Sequence, residues 1–185
     1  MKHILIILAL LPFFTFCGEK KNKDQEENSI SNTSNEASAQ TNSTTYYLIR
    51  HAEKTRTDPE NQDPRLTTKG IRRAKGWAKH FDSIALDEIY TTSYLRTIQT
   101  VSVIAKQKNI SPKHYEPHTL YSEEFLKETY HKNVLIAGHS NTIPHLVNKL
   151  IDEKKFKDMD DTDNATLFKV IFNDDQKTAT TLRVD

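Results

Sequence analysis

A short apolar run in the sequence ends in two residues whose side chains suit an anion. Residues 46–49 read Tyr-Tyr-Leu-Ile, which is typical of a buried strand, and Arg50 and His51 follow at once. A guanidinium and an imidazole at a strand end fit three roles: a polar loop, a metal ligand or a binding site for an anion. The remaining residues have to decide among them.

Two more such side chains follow other predicted strands. Arg96 comes shortly after the strand-like run 88–91, and His139 comes directly after the run 133–138. Ligands of open α/β sheets gather beyond the carboxyl ends of the strands, so we expect these side chains at one edge of the sheet. Because converging guanidinium groups donate paired hydrogen bonds to phosphate oxygens, the pattern favours a site for a tetrahedral dianion.

Strand-like and helix-like segments alternate along residues 45–185, as the spacing of apolar residues shows. Strands are expected at 46–49, 88–91, 133–138, 165–172 and 179–184, and helices at 67–81, 94–106, 122–131 and 142–151. The alternation predicts an α/β fold, a three-layer sandwich whose central sheet is mostly parallel and carries helices on both faces. A turn signal at 173–177 predicts a C-terminal antiparallel hairpin.

Four stretches of the sequence together resemble one known protein family. They are LIRHAEK (48–54), LTTKGIRRAK (66–75), TTSYLRTIQT (91–100) and VLIAGHSNT (134–142). In this order they resemble the histidine phosphatase superfamily, which has the phosphoglycerate mutase-like fold, and the resemblance covers residues 45–185. The short length and the RHAEK form look most like the small branch that includes bacterial phosphohistidine phosphatases.

The resemblance implies a phosphatase for phosphate monoesters or phosphoramidates that needs no metal and no other cofactor. His51 would be the nucleophile and would form a covalent phosphohistidine, which water then hydrolyses. Arg50, Arg96 and His139 would bind the phosphoryl oxygens and stabilise their charge in the transition state. His51 has to be neutral and His139 works best as an imidazolium, so an acid-to-neutral pH optimum is expected.

Larger members of the family carry a carboxylic acid that protonates the leaving group. The residues here that resemble it by position are Glu123 and Glu124. The alternative is that both carboxylates complement the dipole of a helix capped by Ser122. Without a proton donor, substrates with good leaving groups, such as phosphoramidates and aryl phosphates, would be favoured.

Other functions and sites stay open at this point. One alternative is a non-catalytic phosphate-binding lipoprotein. A less favoured alternative is a phosphomutase, which needs a proton donor and a closed site. His114 and His118 would suit a metal pair, but no third ligand has a convincing spacing. The 26 basic and 25 acidic residues nearly balance without a polybasic run, so no nucleic acid is expected as a partner. The resemblance implies a small phosphorylated substrate.

The N-terminal residues predict export. Lys2, the apolar run 4–16 and the single cysteine, Cys17, resemble a bacterial lipoprotein signal, and the run is too short for a comfortable membrane span. Residues 1–16 are therefore expected to be a signal peptide and Cys17 the lipidated residue, with an ordinary secretion signal as the alternative. The polar segment 17–44 predicts a disordered tether, which would hold the domain 45–185 at a bilayer of the bacterial cell envelope, on the periplasmic or surface side.

Overall fold

The structure is a computed structural model that describes residues 43–173 and 176–184. The predicted signal peptide, the lipidation at Cys17 and nearly all of the predicted tether lie outside the described residues. The described residues belong to one compact unit. In this described part, no helix is long and apolar enough to cross a membrane.

Within the described residues, six strands form one mixed sheet. They are β1 (Ser43–Arg50), β2 (Glu88–Thr91), β3 (Lys113–His114), β4 (Asn133–Gly138), β5 (Thr166–Asn173) and β6 (Gln176–Arg183). Their order across the sheet is β3-β2-β4-β1-β5-β6. Strands β1 to β4 pair in parallel, whereas β5 is antiparallel to both β1 and β6. The predicted mostly parallel sheet with its C-terminal antiparallel hairpin is therefore confirmed.

Four helices connect these strands in the described part of the chain. They are α1 (Thr68–His80), α2 (Leu95–Lys108), α3 (Glu123–Glu128) and α4 (Thr142–Ile151). Helix α3 is shorter than the predicted helix 122–131. It ends where the hydroxyl of Thr129 donates to the carbonyl of Phe125, and His131 then adopts a left-handed backbone with a φ of 58°.

The sheet is packed on both faces, because alternate residues of β1 point to opposite sides. Tyr47 and Ile49 pack against α1 and α2, in a core that also contains Trp77, Phe81, Val101, Ile104, Leu135 and Leu167. Tyr46 and Leu48 pack on the other face, in a core that also contains Phe125, Ile136, Ile143, Val147, Leu150 and Phe168. These two cores confirm the predicted three-layer sandwich.

Two strands of the sheet differ from the sequence pattern. Strand β1 begins at Ser43, two residues before the expected domain start at 45, because Thr44 is buried and pairs with Phe172. The short strand β3 was not predicted, since two exposed residues, Lys113 and His114, give no apolar pattern.

Gly70 of α1 packs against the loop that follows β1, and this contact generates a stability prediction. A Cβ atom on Gly70 would lie 2.2 Å from the carbonyl oxygen of Glu53, whereas a Cβ atom on Gly76 would meet nothing within 4 Å. Gly70→Ala should lower the free energy of unfolding by about 1–3 kcal/mol. Gly76→Ala should raise it by up to about 1 kcal/mol through helix propensity. Urea unfolding measures both, and equal effects would contradict the steric explanation.

Candidate active site

The two histidines meet because β1 and β4 are adjacent parallel strands. Arg50 ends β1 opposite Gly138, which ends β4, so His51 and His139 leave the sheet side by side. The backbone N–H of His51 donates to the carbonyl of Gly138 at 2.9 Å, and the two imidazole rings lie 5.6 Å apart between centroids. The sequence-predicted pair therefore lies at the carboxyl edge of the sheet.

His51 is buried and held in one tautomer. Its Nδ1 lies 2.8 Å from the carbonyl oxygen of Ala52, and because a carbonyl only accepts, this hydrogen bond assigns the proton to Nδ1. The Nε2 atom then carries the free lone pair. Burial lowers the pKa of His51 to about 3, and the positive charges of Arg50, His139 and Arg96 add to this effect. The imidazole is therefore neutral near pH 7 and can act as a nucleophile.

His139 is hydrogen-bonded to two threonines. Its Nε2 is 3.2 Å from the hydroxyl of Thr92, and its backbone N–H donates to the hydroxyl of Thr142 at 3.0 Å. Burial lowers the pKa of His139 to about 4, with contributions from Arg96, Arg50 and His118. A bound phosphoryl dianion would act in the opposite direction and raise this pKa, which is what a charged His139 requires.

The two arginines at this edge are largely buried. Arg50 is 2% exposed, and Arg96 stacks its guanidinium 4.1 Å above the ring of Tyr94. Nη1 of Arg50 donates to the carbonyls of Asp160 and Asp163, at 2.9 and 3.2 Å. The Nε–H groups of Arg50 and Arg96 are buried without a hydrogen-bond partner. Because an unpaired buried donor is costly, these two N–H groups fit an anion-binding role.

A set of buried threonine hydroxyls, not predicted from the sequence, positions these groups. The hydroxyls of Thr92 and Thr97 lie 2.8 Å apart, and the second also donates to the carbonyl of Thr92. Thr100 accepts from the backbone N–H of Ala52 and donates to the carbonyl of Arg96. The hydroxyls thus join the His51 loop and His139 to the start of α2. The only sequence signal was the number of threonines in 91–100.

A cavity of about 230 Å³ opens beside His51 and is rich in charged side chains. Its walls are His51, Glu53, Lys54, Arg56, Lys69, Asp161, Thr162 and Asn164. Burial and the nearby charges of Arg96 and Arg56 lower the pKa of Lys54. Lys54 could attract an anion or be a solvated loop charge, and its place in this wall favours the first role.

Glu123 and Glu124 lie in the first turn of α3. The hydroxyl of Ser122 accepts from the backbone N–H of Phe125 at 3.1 Å, so the predicted N-cap is present. Glu124 lines a separate cavity with Tyr90, and neither glutamate lines the cavity beside His51.

His114 and His118, which the sequence offered as a possible metal pair, have no third ligand among the described residues. His114 is an exposed residue of β3, and the ring of His118 lies 5.9 Å from that of His145. Among residues 43–173 and 176–184, no group of three or more His, Cys, Asp or Glu side chains is arranged to hold a metal ion.

A comparison with protein families matches part of the chain. Residues 46–118 match the family model of the histidine phosphatase superfamily (branch 1). Among curated proteins, none matches the sequence. The family match supports a phosphatase- or mutase-type function.

Several solved structures share the fold of this chain. Phosphoglycerate mutase from Bacillus anthracis aligns with a TM-score of 0.58 at 17% identity over 77% of this chain and 94% of its own. The candidate phosphohistidine phosphatase SixA from Agrobacterium tumefaciens aligns with a TM-score of 0.56 at 21% identity over 75% and 97%. The protein histidine phosphatase SixA in complex with tungstate aligns with a TM-score of 0.60 at 15% identity over 75% and 96%. These similarities show the phosphoglycerate mutase fold.

The low pKa values of the two site histidines predict how stability depends on pH. They are about 3 for His51 and about 4 for His139, against 6.5 for an ordinary histidine. Between about pH 3 and pH 6.5 the unfolded chain binds more protons than the folded protein, so the free energy of unfolding falls as the pH drops below 6.5. Replacing both residues by Asn should remove this part of the acid destabilisation.

Urea unfolding at about pH 7 and about pH 5 measures the effect. The matched control is His114→Asn, which changes an exposed histidine and should leave the pH dependence as in the parent protein. A double variant that loses as much stability on acidification as the parent would contradict the assignment.

Proposed function

We propose that the protein is a phosphatase that hydrolyses phosphate monoesters or phosphoramidates through a phosphohistidine on His51. The observation that carries the proposal is the hydrogen bond between Nδ1 of His51 and the carbonyl of Ala52, at 2.8 Å. It directs the lone pair of Nε2 away from the backbone in a ring whose low pKa keeps it neutral. A buried neutral imidazole beside two arginines is suited to attack an electrophilic phosphorus.

The proposed reaction has two displacements at phosphorus. In the first, Nε2 of His51 forms a bond to phosphorus while the P–O or P–N bond breaks and its electron pair goes to the leaving group. In the second, water attacks the phosphohistidine, inorganic phosphate leaves, and His51 is restored. Arg50, Arg96 and His139 bind the phosphoryl oxygens in both steps, which supplies the positive charge without a metal ion.

The proton for the leaving group decides which substrates react well. Glu123 and Glu124 remain the proposed donors by position in the sequence, but neither contributes to the cavity beside His51. We therefore infer that substrates with good leaving groups, such as aryl phosphates and phosphoramidates, react faster than alkyl phosphates.

Trapping the phosphoenzyme tests the proposed nucleophile. The purified protein is incubated with a phosphorus-labelled aryl phosphate, quenched in alkali, in which phosphohistidine survives, and then exposed to acid. We expect turnover together with acid-labile label on the protein. His51→Ala should lose both, because no other residue replaces the attacking nitrogen, and His114→Ala, which changes an exposed histidine, should retain both. Unchanged turnover in His51→Ala would refute the mechanism.

The alternatives give different outcomes in the same experiment. Labelled phosphate that passes to an added alcohol in preference to water would indicate a phosphomutase. Phosphate binding without turnover or protein-bound label, across both monoesters and phosphoramidates, would indicate a phosphate-binding protein. Activity that survives a chelator is expected, because the proposed charge stabilisation comes from side chains.

We also propose that the domain acts outside the bacterial cytoplasm, anchored to a bilayer through acylated Cys17. The support is the N-terminal sequence, in which one cysteine follows a short apolar run. In cells fed a labelled fatty acid, the protein should carry the label and enter the membrane fraction. Cys17→Ser should lose the label and Ser140→Ala, elsewhere in the chain, should keep it. An unlabelled parent protein would refute the anchor.

A further inference from the structure

One carboxylate in the candidate site is held by two guanidinium groups at once. Oδ1 of Asp161 accepts from Nη2 of Arg50 at 2.7 Å, and Oδ2 lies 2.7 Å from Nη2 of Arg56. Asp161 is 111 residues from Arg50 in sequence, so no local pattern brings them together. Two arginines that share one anion at this distance resemble the arrangement in which arginines bind phosphate.

The position of this carboxylate on Arg50 is chemically specific. The Nε–H and one Nη2–H of an arginine point the same way and form the edge that binds an oxyanion through two parallel hydrogen bonds. On Arg50, Nη1 is used by two backbone carbonyls, Nε has no partner, and Nη2 is bonded to Asp161. Since Nη2 carries two N–H groups, a phosphoryl group that binds this edge of Arg50 shares Nη2 with Asp161, and the two anions compete for the charge of one guanidinium.

The loop that carries Asp161 is anchored without its carboxylate. The backbone N–H of Met159 donates to the carbonyl of Ser140 at 2.9 Å, and the carbonyls of Asp160 and Asp163 accept from Arg50. The side chain of Asp161 itself is 66% exposed. The carboxylate can therefore leave Arg50 by rotating its side chain into solvent, while the loop keeps its place over the sheet edge.

We propose that Asp161 is an internal competitor for the phosphoryl-binding edge of Arg50 and thereby sets the affinity and selectivity of the site for anions. The inference rests on the proposed function, in which Arg50 binds the phosphoryl group. A monoanion such as a free carboxylate gains little by replacing another carboxylate. A phosphoryl dianion that also engages Arg96 and His139 gains enough to displace it.

The charge state of Asp161 agrees with this role. Hydrogen bonds from Arg56 and Arg50 lower the pKa of the carboxyl group, so it stays ionised at the pH at which a phosphatase would work. An ionised Asp161 competes with an anion. It is not suited to protonate a leaving group, since a proton donor has to be protonated.

Phosphate binding to the full chain tests the proposal. Isothermal titration with inorganic phosphate should give a dissociation constant for Asp161→Asn that is lower than that of the parent by about tenfold, because the amide keeps the shape but removes the competing charge. Asp161→Glu keeps the charge and should stay within about threefold of the parent. The matched control is Asp158→Asn, which removes the same charge from an exposed position of the same loop.

The outcomes separate this inference from the proposed function. Equal or weaker phosphate binding by Asp161→Asn, with the parent binding phosphate, would overturn the competitor role alone. Equal tightening in Asp158→Asn would also overturn it, since a general charge effect would then explain the result. Tighter binding by Asp161→Asn alone, without turnover in any variant, would support the inference and refute the catalytic function. Absence of phosphate binding in every variant would overturn both.

Discussion

The parallel pairing of β1 with β4 is the constraint on which the rest of the site depends. It places Arg50 opposite Gly138, so the next residue of each strand is a histidine and the two rings lie 5.6 Å apart. A slip of one residue would turn every side chain of β1 to the other face of the sheet. The hydroxyl of Tyr115 donates to the carbonyl of Ala137 at the end of β4. Only a glycine fits beside this hydroxyl at position 138, because a Cβ atom there would lie 2.7 Å from it.

The positive charge of the site has two opposed effects. Buried cations attract an anion, and the same charges disfavour protonation of nearby imidazoles. Arg50 and Arg96 therefore lower the pKa of both site histidines, although burial is the larger cause. This effect suits His51, the proposed nucleophile, since an attacking nitrogen must be unprotonated. His139 would regain its proton affinity only when a phosphoryl group adds negative charge, which couples its charged form to the bound substrate.

Sequence reasoning reached the parts of the structure that local patterns determine. Apolar runs located the main strands, and residues that follow parallel strands meet at one edge, so the convergence of His51 and His139 was predictable. Two kinds of feature could not be predicted from the sequence. Strand β3 has only two residues and both are exposed. Contacts such as that of Thr100 with Ala52, or of Asp161 with Arg50, join distant segments through single polar atoms, which leave no periodic pattern.

The surroundings of Arg50 show how one guanidinium can satisfy two requirements that conflict. A side chain with 2% exposure needs its charge balanced, because an unpaired buried cation would destabilise the fold. An anion-binding side chain must leave part of its edge available. Backbone carbonyls meet the first requirement on Nη1, and they cannot be displaced without moving the loop. In the proposed scheme the carboxylate of Asp161 completes the balance on Nη2, since a side chain that is mostly exposed can turn away when a stronger anion arrives.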